Sequence, residues 1–188
     1  MDIFIGGGGD DLAFLGLGVV RQYAQRYAAE TNRPVAYLPN ARIGRARRLI
    51  EAAARAGEPV NVIGHSWGAI DAFVAVHAAA RRGATATNLI TLDPVSGPFR
   101  RLQPWRVNAF WLNVTLDPAK PDRSDQLTTR RPWAYKPSRL GLDAADEVVV
   151  LDLSHWNVGG MMRLSGARAR LDAAWTLRIH PAPIVRST

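Results

Sequence analysis

Short β-branched runs alternate with longer amphipathic stretches along most of this chain. Ile3-Phe4-Ile5, Pro34-Val35-Ala36-Tyr37-Leu38, Pro59-Val60-Asn61-Val62-Ile63 and Asn88-Leu89-Ile90-Thr91-Leu92 each read as a strand, too short for a helix and bounded by Gly, Pro or Asn. Helical patterns lie between them. One runs from about Leu12 to Glu30, with Leu12, Leu15, Val19, Tyr23 and Tyr27 on one apolar face; the next from Ala41 to Ala56, ending at Gly57. A third opens at Ala69 and continues through His77 to about Arg82, where Gly83 stops it. Val107 to Leu116 and the apolar run Glu147 to Leu151 add two strands, and a helix over about Ala167 to Leu177 covers the sheet. Strand, helix, strand with short links is the pattern of right-handed crossovers in a parallel sheet. Two stretches break the rhythm: Val95 to Arg106 reads as a loop, and 118–146, rich in proline and lacking periodicity, as a long loop or small cap.

Size fits this picture. With 188 residues, 47% of them hydrophobic, the chain can fill one core and is short for two, so a single domain over 1–188 is expected. No run of about 18 apolar residues occurs, and Met1-Asp2-Ile3-Phe4-Ile5 lacks the basic start of an export signal, so a soluble chain is expected, its compartment left open. The absence of cysteine excludes disulfides and thiolate metal sites.

The net charge of +8 is carried almost wholly by arginine, scattered rather than clustered, with Arg42, Arg45, Arg48 and Arg55 expected on a solvated helix face. No zinc-finger or aromatic RNA-binding signature accompanies it, so no specific nucleic-acid partner is expected, whereas an anionic membrane surface stays open.

The candidate chemistry gathers where strands end. Gly64-His65-Ser66-Trp67-Gly68 joins a strand directly to a helix, and a turn that sharp forces its central residue into a strained backbone and lifts Ser66 to the C-terminal edge of the sheet, exposed. Gly6-Gly7-Gly8-Gly9 follows the first strand at the same edge and reads as an oxyanion loop, with Asp10 or Asp11 capping the next helix. A serine hydroxyl needs a base, and there are four histidines. His65 adjoins Ser66 and is expected to point away from it; His77 lies down the helix, and His180 in a proline-bounded tail. His155, just after the last strand, can swing across that edge. Asp93 and Asp117 both end strands there, and spacing does not choose between them as the acid that orients the imidazole.

Ile63-Gly64-His65-Ser66-Trp67-Gly68, followed by Ile90-Thr91-Leu92-Asp93-Pro94-Val95-Ser96-Gly97-Pro98, resembles the α/β-hydrolase superfamily, particularly its lipase-like branches. The resemblance implies a minimal α/β-hydrolase fold: a six-stranded, mostly parallel sheet with helices on both faces, in which Ile3-Phe4-Ile5 corresponds to the family's third strand. The strand order it implies starts at the Tyr37 strand and continues through those of Phe4, Val62, Ile90, Val114 and Val149. It favours Asp93 over Asp117, because pancreatic-type lipases keep their acid in a similar Leu-Asp-Pro segment. It also implies the Trp67 amide and one from the glycine run, Gly8 or else Gly7, as oxyanion donors.

The expected activity is ester hydrolysis through an acyl-enzyme on Ser66, without metal or organic cofactor. Thioester or amide hydrolysis by the same triad, and a non-catalytic module binding an anionic partner, are the alternatives. An acyl ester or lipid is the expected substrate. Trp105 and Trp133 would line the mouth as aromatic walls, and Arg100 and Arg101 would stand at its rim toward an anionic head group.

Overall fold

A computed structural model of the chain describes residues 1–10, 18–96, 107–117, 119–120, 136–137 and 144–179. Eight strands are found among them: β1 (Asp2–Ile5), β2 (Val35–Leu38), β3 (Asn61–His65), β4 (Asn88–Leu92), β5 (Val95–Ser96), β6 (Phe110–Leu116), β7 (Lys136–Pro137) and β8 (Glu147–Leu151). The helices are α1 (Val19–Thr31), α2 (Ile43–Arg55), α3 (Trp67–Ala80), α4 (Val158–Leu164) and α5 (Ala167–Ile179). Six strands form one sheet in the order β2-β1-β3-β4-β6-β8, with every pair parallel. β5 and β7 form a separate antiparallel pair, so the stretch 118–146 is not wholly irregular.

The continuous apolar runs are explained by burial on both faces of the sheet. Ile3, Ile5, Val62, Leu89 and Trp111 pack against Ile50 of α2 and Phe73 and Val76 of α3. On the opposite face Phe4, Ile63, Ile90 and Leu112 meet Val20 and Tyr27 of α1, Met161 of α4 and Leu171 of α5. Among the described residues no helix is long and apolar enough to cross a membrane. Arg42, Arg45, Arg48 and Arg55 are all exposed, as expected.

The described residues depart from the sequence reading at three points. Helix α1 begins at Val19 rather than near Leu12; Leu12 and Leu15 lie outside the described residues. Asp10 sets that start, because its carboxylate accepts the N–H groups of Val20 (3.1 Å) and Arg21 (3.2 Å), a cap worth about 1 kcal/mol. The last strand lies at the sheet edge, as the implied order has it, but its apolar run is not buried throughout: Val149 and Leu151 pack inward, whereas Val148 and Val150 are 38% and 56% exposed. Helix α4 was not foreseen, since Gly159-Gly160 weakens any helical reading; Asn157 caps it by accepting the Gly160 N–H at 2.8 Å.

At the N-terminal edge of the sheet a buried polar ladder crosses three strands. Asn61 donates to Asp2 (2.6 Å) and Asn88 to Asn61 (2.7 Å), and these residues face each other in register. Asp2 also accepts from the Tyr27 hydroxyl (2.8 Å) and the Trp175 indole (3.1 Å), which ties α1 and α5 to the same point.

Candidate active site

Ser66 follows β3 directly and occupies the position just before α3, with φ 55° and ψ −122°. Those angles mirror the extended region and are hostile to a residue with a side chain. The surroundings hold it there: the Ser66 N–H donates to the Leu92 carbonyl (3.0 Å), and the Ser66 carbonyl accepts from Ala69 (3.1 Å) and Val95 (3.3 Å). A methyl group at Gly64 would strike the Gly68 carbonyl, and one at Gly68 would strike those of Ile5 and Gly6, so the two flanking positions admit only glycine.

Ser66 does lie at the sheet edge, but it is 7% exposed rather than open to solvent. The glycine run accounts for this. A Cβ at Gly7 would sit 2.9 Å from the Ser66 Cβ, and one at Gly8 would sit 2.6 Å from the Trp67 ring, so bare backbone lies over the turn. Trp67 is the first residue of α3, where a helix N–H has no intrahelical acceptor. Asp10 anchors the far end of the glycine run: besides capping α1 it accepts the Tyr37 hydroxyl at 2.7 Å, and it is buried.

His155 lies in the turn after β8, between Ser154 and Asn157, where the Asn157 N–H donates to the Ser154 carbonyl (2.9 Å). Its Nδ1 is 2.5 Å from Oδ2 of Asp93, with His155 2% and Asp93 8% exposed. An ionised carboxylate only accepts, so Nδ1 donates and, in the neutral ring, Nε2 is left as the acceptor. Asp93 reaches across because its own backbone is turned, with φ 40° directly before Pro94, while its N–H stays bonded to the Val114 carbonyl (2.7 Å).

Asp117 is engaged elsewhere. Its carboxylate accepts the Ala119 N–H (2.9 Å) and its carbonyl the Lys120 N–H (3.0 Å), closing a local turn. Of the two acids that spacing left open, the structure brings Asp93 to the imidazole. His77 lies in α3, and His180 is outside the described residues. Outside them too are the rim residues Arg100, Arg101, Trp105 and Trp133.

His65 does more than adjoin the serine. Its Nε2 is 2.8 Å from the His155 carbonyl oxygen, and the two imidazole centroids are 4.5 Å apart. Burial first, and the neighbouring His155 second, push its pKa down to about 3, so the ring is neutral at ordinary pH. The sequence carried one signal for this: His65 shares its side of β3 with Ile63, the side on which α4 packs after His155.

The parallel strand order, the strained serine between two glycines, and an Asp and a His arriving later from the same sheet edge define an α/β-hydrolase fold. Solved structures with a similar chain trace include the NocB thioesterase domain from the nocardicin cluster, at 14% identity and TM-score 0.49 over 92% of each chain. Another is the RedJ thioesterase of the prodiginine pathway in Streptomyces coelicolor, at 13% identity and TM-score 0.49 over 92% of this chain and 88% of that one. A hydrolase of the α/β superfamily from Xanthomonas campestris pv. campestris is 17% identical, with TM-score 0.46 over 92% of this chain and 98% of that one. No protein-family profile matches the chain, and no curated protein matches it in sequence. The fold assignment rests on the sheet order and the turn at Ser66 themselves.

Proposed function

We propose that the protein is a serine hydrolase that cleaves acyl esters through an acyl-enzyme. The observation that carries this reading is the buried hydrogen bond between His155 and Asp93, made from strand ends 62 residues apart at the edge where Ser66 stands. Asp93 holds the imidazole with Nδ1 protonated, and Nε2 takes the proton of Ser66 as its oxygen attacks the carbonyl carbon. The tetrahedral oxyanion is received by N–H groups at the turn, that of Trp67 and one from Gly7 or Gly8. Collapse expels the alcohol, which recovers the proton from His155, and a water activated by the same imidazole releases the acid.

A fluorophosphonate probe tests the nucleophile directly. Labelling is expected on Ser66, located by peptide mass spectrometry, and is expected to be absent in Ser66→Ala. Turnover of a panel of oxyesters and thioesters, graded by acyl length, should fall about a million-fold in Ser66→Ala. Retention of activity within tenfold would overturn the mechanism. Folded protein that takes no label would instead be a non-catalytic module on this fold, and faster turnover of thioesters than of matched oxyesters would move the substrate class.

A further inference from the structure

We propose that His65 is a positioning residue: its imidazole ties down the main chain of His155 and so fixes where the base stands relative to Ser66. The inference rests on the acyl-transfer reading above. His155 is the first turn beyond β8, an edge strand bonded on one side to β6 and exposed through Val148 and Val150 on one face. An imidazole reaching from there needs restraint at both ends. Asp93 restrains the ring at Nδ1, 2.5 Å away. His65 restrains the backbone, its Nε2 2.8 Å from the His155 carbonyl oxygen across two intervening strands.

A carbonyl only accepts, so Nε2 of His65 carries the proton. Burial keeps the ring neutral, and that single tautomer persists through the neutral range. The other side of the ring faces the glycine run, with Nδ1 3.5 Å from where a Cβ on Gly7 would stand. His65 therefore fills the space between the turn over Ser66 and the turn carrying His155. Because it is also the residue before Ser66, the strand that presents the nucleophile sets the distance to the base.

Three proteins test this: wild type, His65→Leu, which keeps bulk but loses the donor, and His65→Gln, whose amide nitrogen reaches to about the depth of Nε2. Removing the tether should lower kcat about a hundredfold, the loss typical of a misplacement near 1 Å, with KM changed less than about twofold. His65→Gln should recover kcat to within about tenfold of wild type. The second readout needs no turnover: the strongly deshielded Nδ1 proton of His155 in the NMR spectrum should vanish through exchange in His65→Leu and return in His65→Gln. His65→Asn, too short to reach the carbonyl, replaces the leucine variant if that does not fold. Wild-type kcat in the leucine variant, an unchanged proton resonance there, or no rescue by glutamine would overturn the proposal. Should wild-type Ser66 take no fluorophosphonate, the acyl-transfer reading falls, and the resonance alone still decides whether His65 holds the turn.

Discussion

Replacing Asp93 by asparagine removes one charge and keeps the shape. In the transition state of the proposed reaction His155 carries the proton of Ser66, and this cation would form in a site where both His155 and Asp93 are almost wholly buried. With Nδ1 and Oδ2 2.5 Å apart, the charge centres are about 4 Å apart, worth about 4 kcal/mol at an effective dielectric of about 20. At about 1.4 kcal/mol per decade, that alone is close to a thousandfold in rate. The tautomer supplies the rest. An asparagine turned with its amide toward the ring makes Nδ1 an acceptor and puts the proton on Nε2, where the base must be bare. The expected fall in kcat/KM for Asp93→Asn is therefore about ten-thousand-fold. It would be measured on the best ester of the panel, with a thermal melt to confirm the fold. Asp117→Asn is the matched control. Its carboxylate closes a local turn by accepting the Ala119 N–H, so its rate should stay within about threefold of wild type. Asp93→Asn within tenfold of wild type, or Asp117→Asn as the worse variant, would refute the assignment of the acid.

Two further predictions concern stability. Ser66→Gly should be inactive and yet more stable than Ser66→Ala by about 1 kcal/mol, because φ 55° with ψ −122° is open to glycine alone; equal denaturation midpoints would show that the turn stores no strain. The second concerns pH. The folded pKa of His65 is depressed to about 3 from an ordinary 6.5, so its contribution is present in full above pH 6.5 and is lost as pH falls toward 3. As pH falls through that window the unfolded chain takes up a proton that the folded chain does not, so stability should drop by about 2 kcal/mol between pH 6.5 and 4.5. Guanidinium midpoints of wild type and His65→Gln should converge across that window, and parallel curves would refute the buried neutral ring.

Much of this architecture was legible because the residues that build it have few alternatives. A serine between glycines, directly after a β-branched strand and before an apolar helix, admits one turn, and its position on β3 follows. The sheet order came from the resemblance, and every neighbour in it matches. The choice between Asp93 and Asp117 was not legible, since both end parallel strands at one edge. What separates them is backbone direction: φ 40° turns Asp93 toward His155, while Asp117 folds back on residues 119 and 120. The contact of His65 was hidden for a related reason. It depends on how far the turn after β8 reaches over β6 and β4, and no local pattern encodes that distance. The start of α1 was misplaced because Leu12, Leu15 and Val19 keep a helical period, whereas the boundary is set by Asp10 from outside the helix.

The polar ladder of Asp2, Asn61 and Asn88 lies at the opposite end of the sheet from Ser66, yet it governs where Ser66 comes to rest. Parallel strands made of valine, isoleucine and leucine can slide past one another by two residues and still bury apolar side chains, so hydrophobicity alone discriminates weakly among alignments. A slide of β3 by two residues would set Ile63 opposite Asp2, take the Asn61 amide from its buried carboxylate and part Asn61 from Asn88. The ladder thus acts as a gauge block at the base of the three strands. It ensures that β3 reaches Gly64 level with Ile5, and that the serine emerges at the height of the glycine run rather than a pleat above or below it.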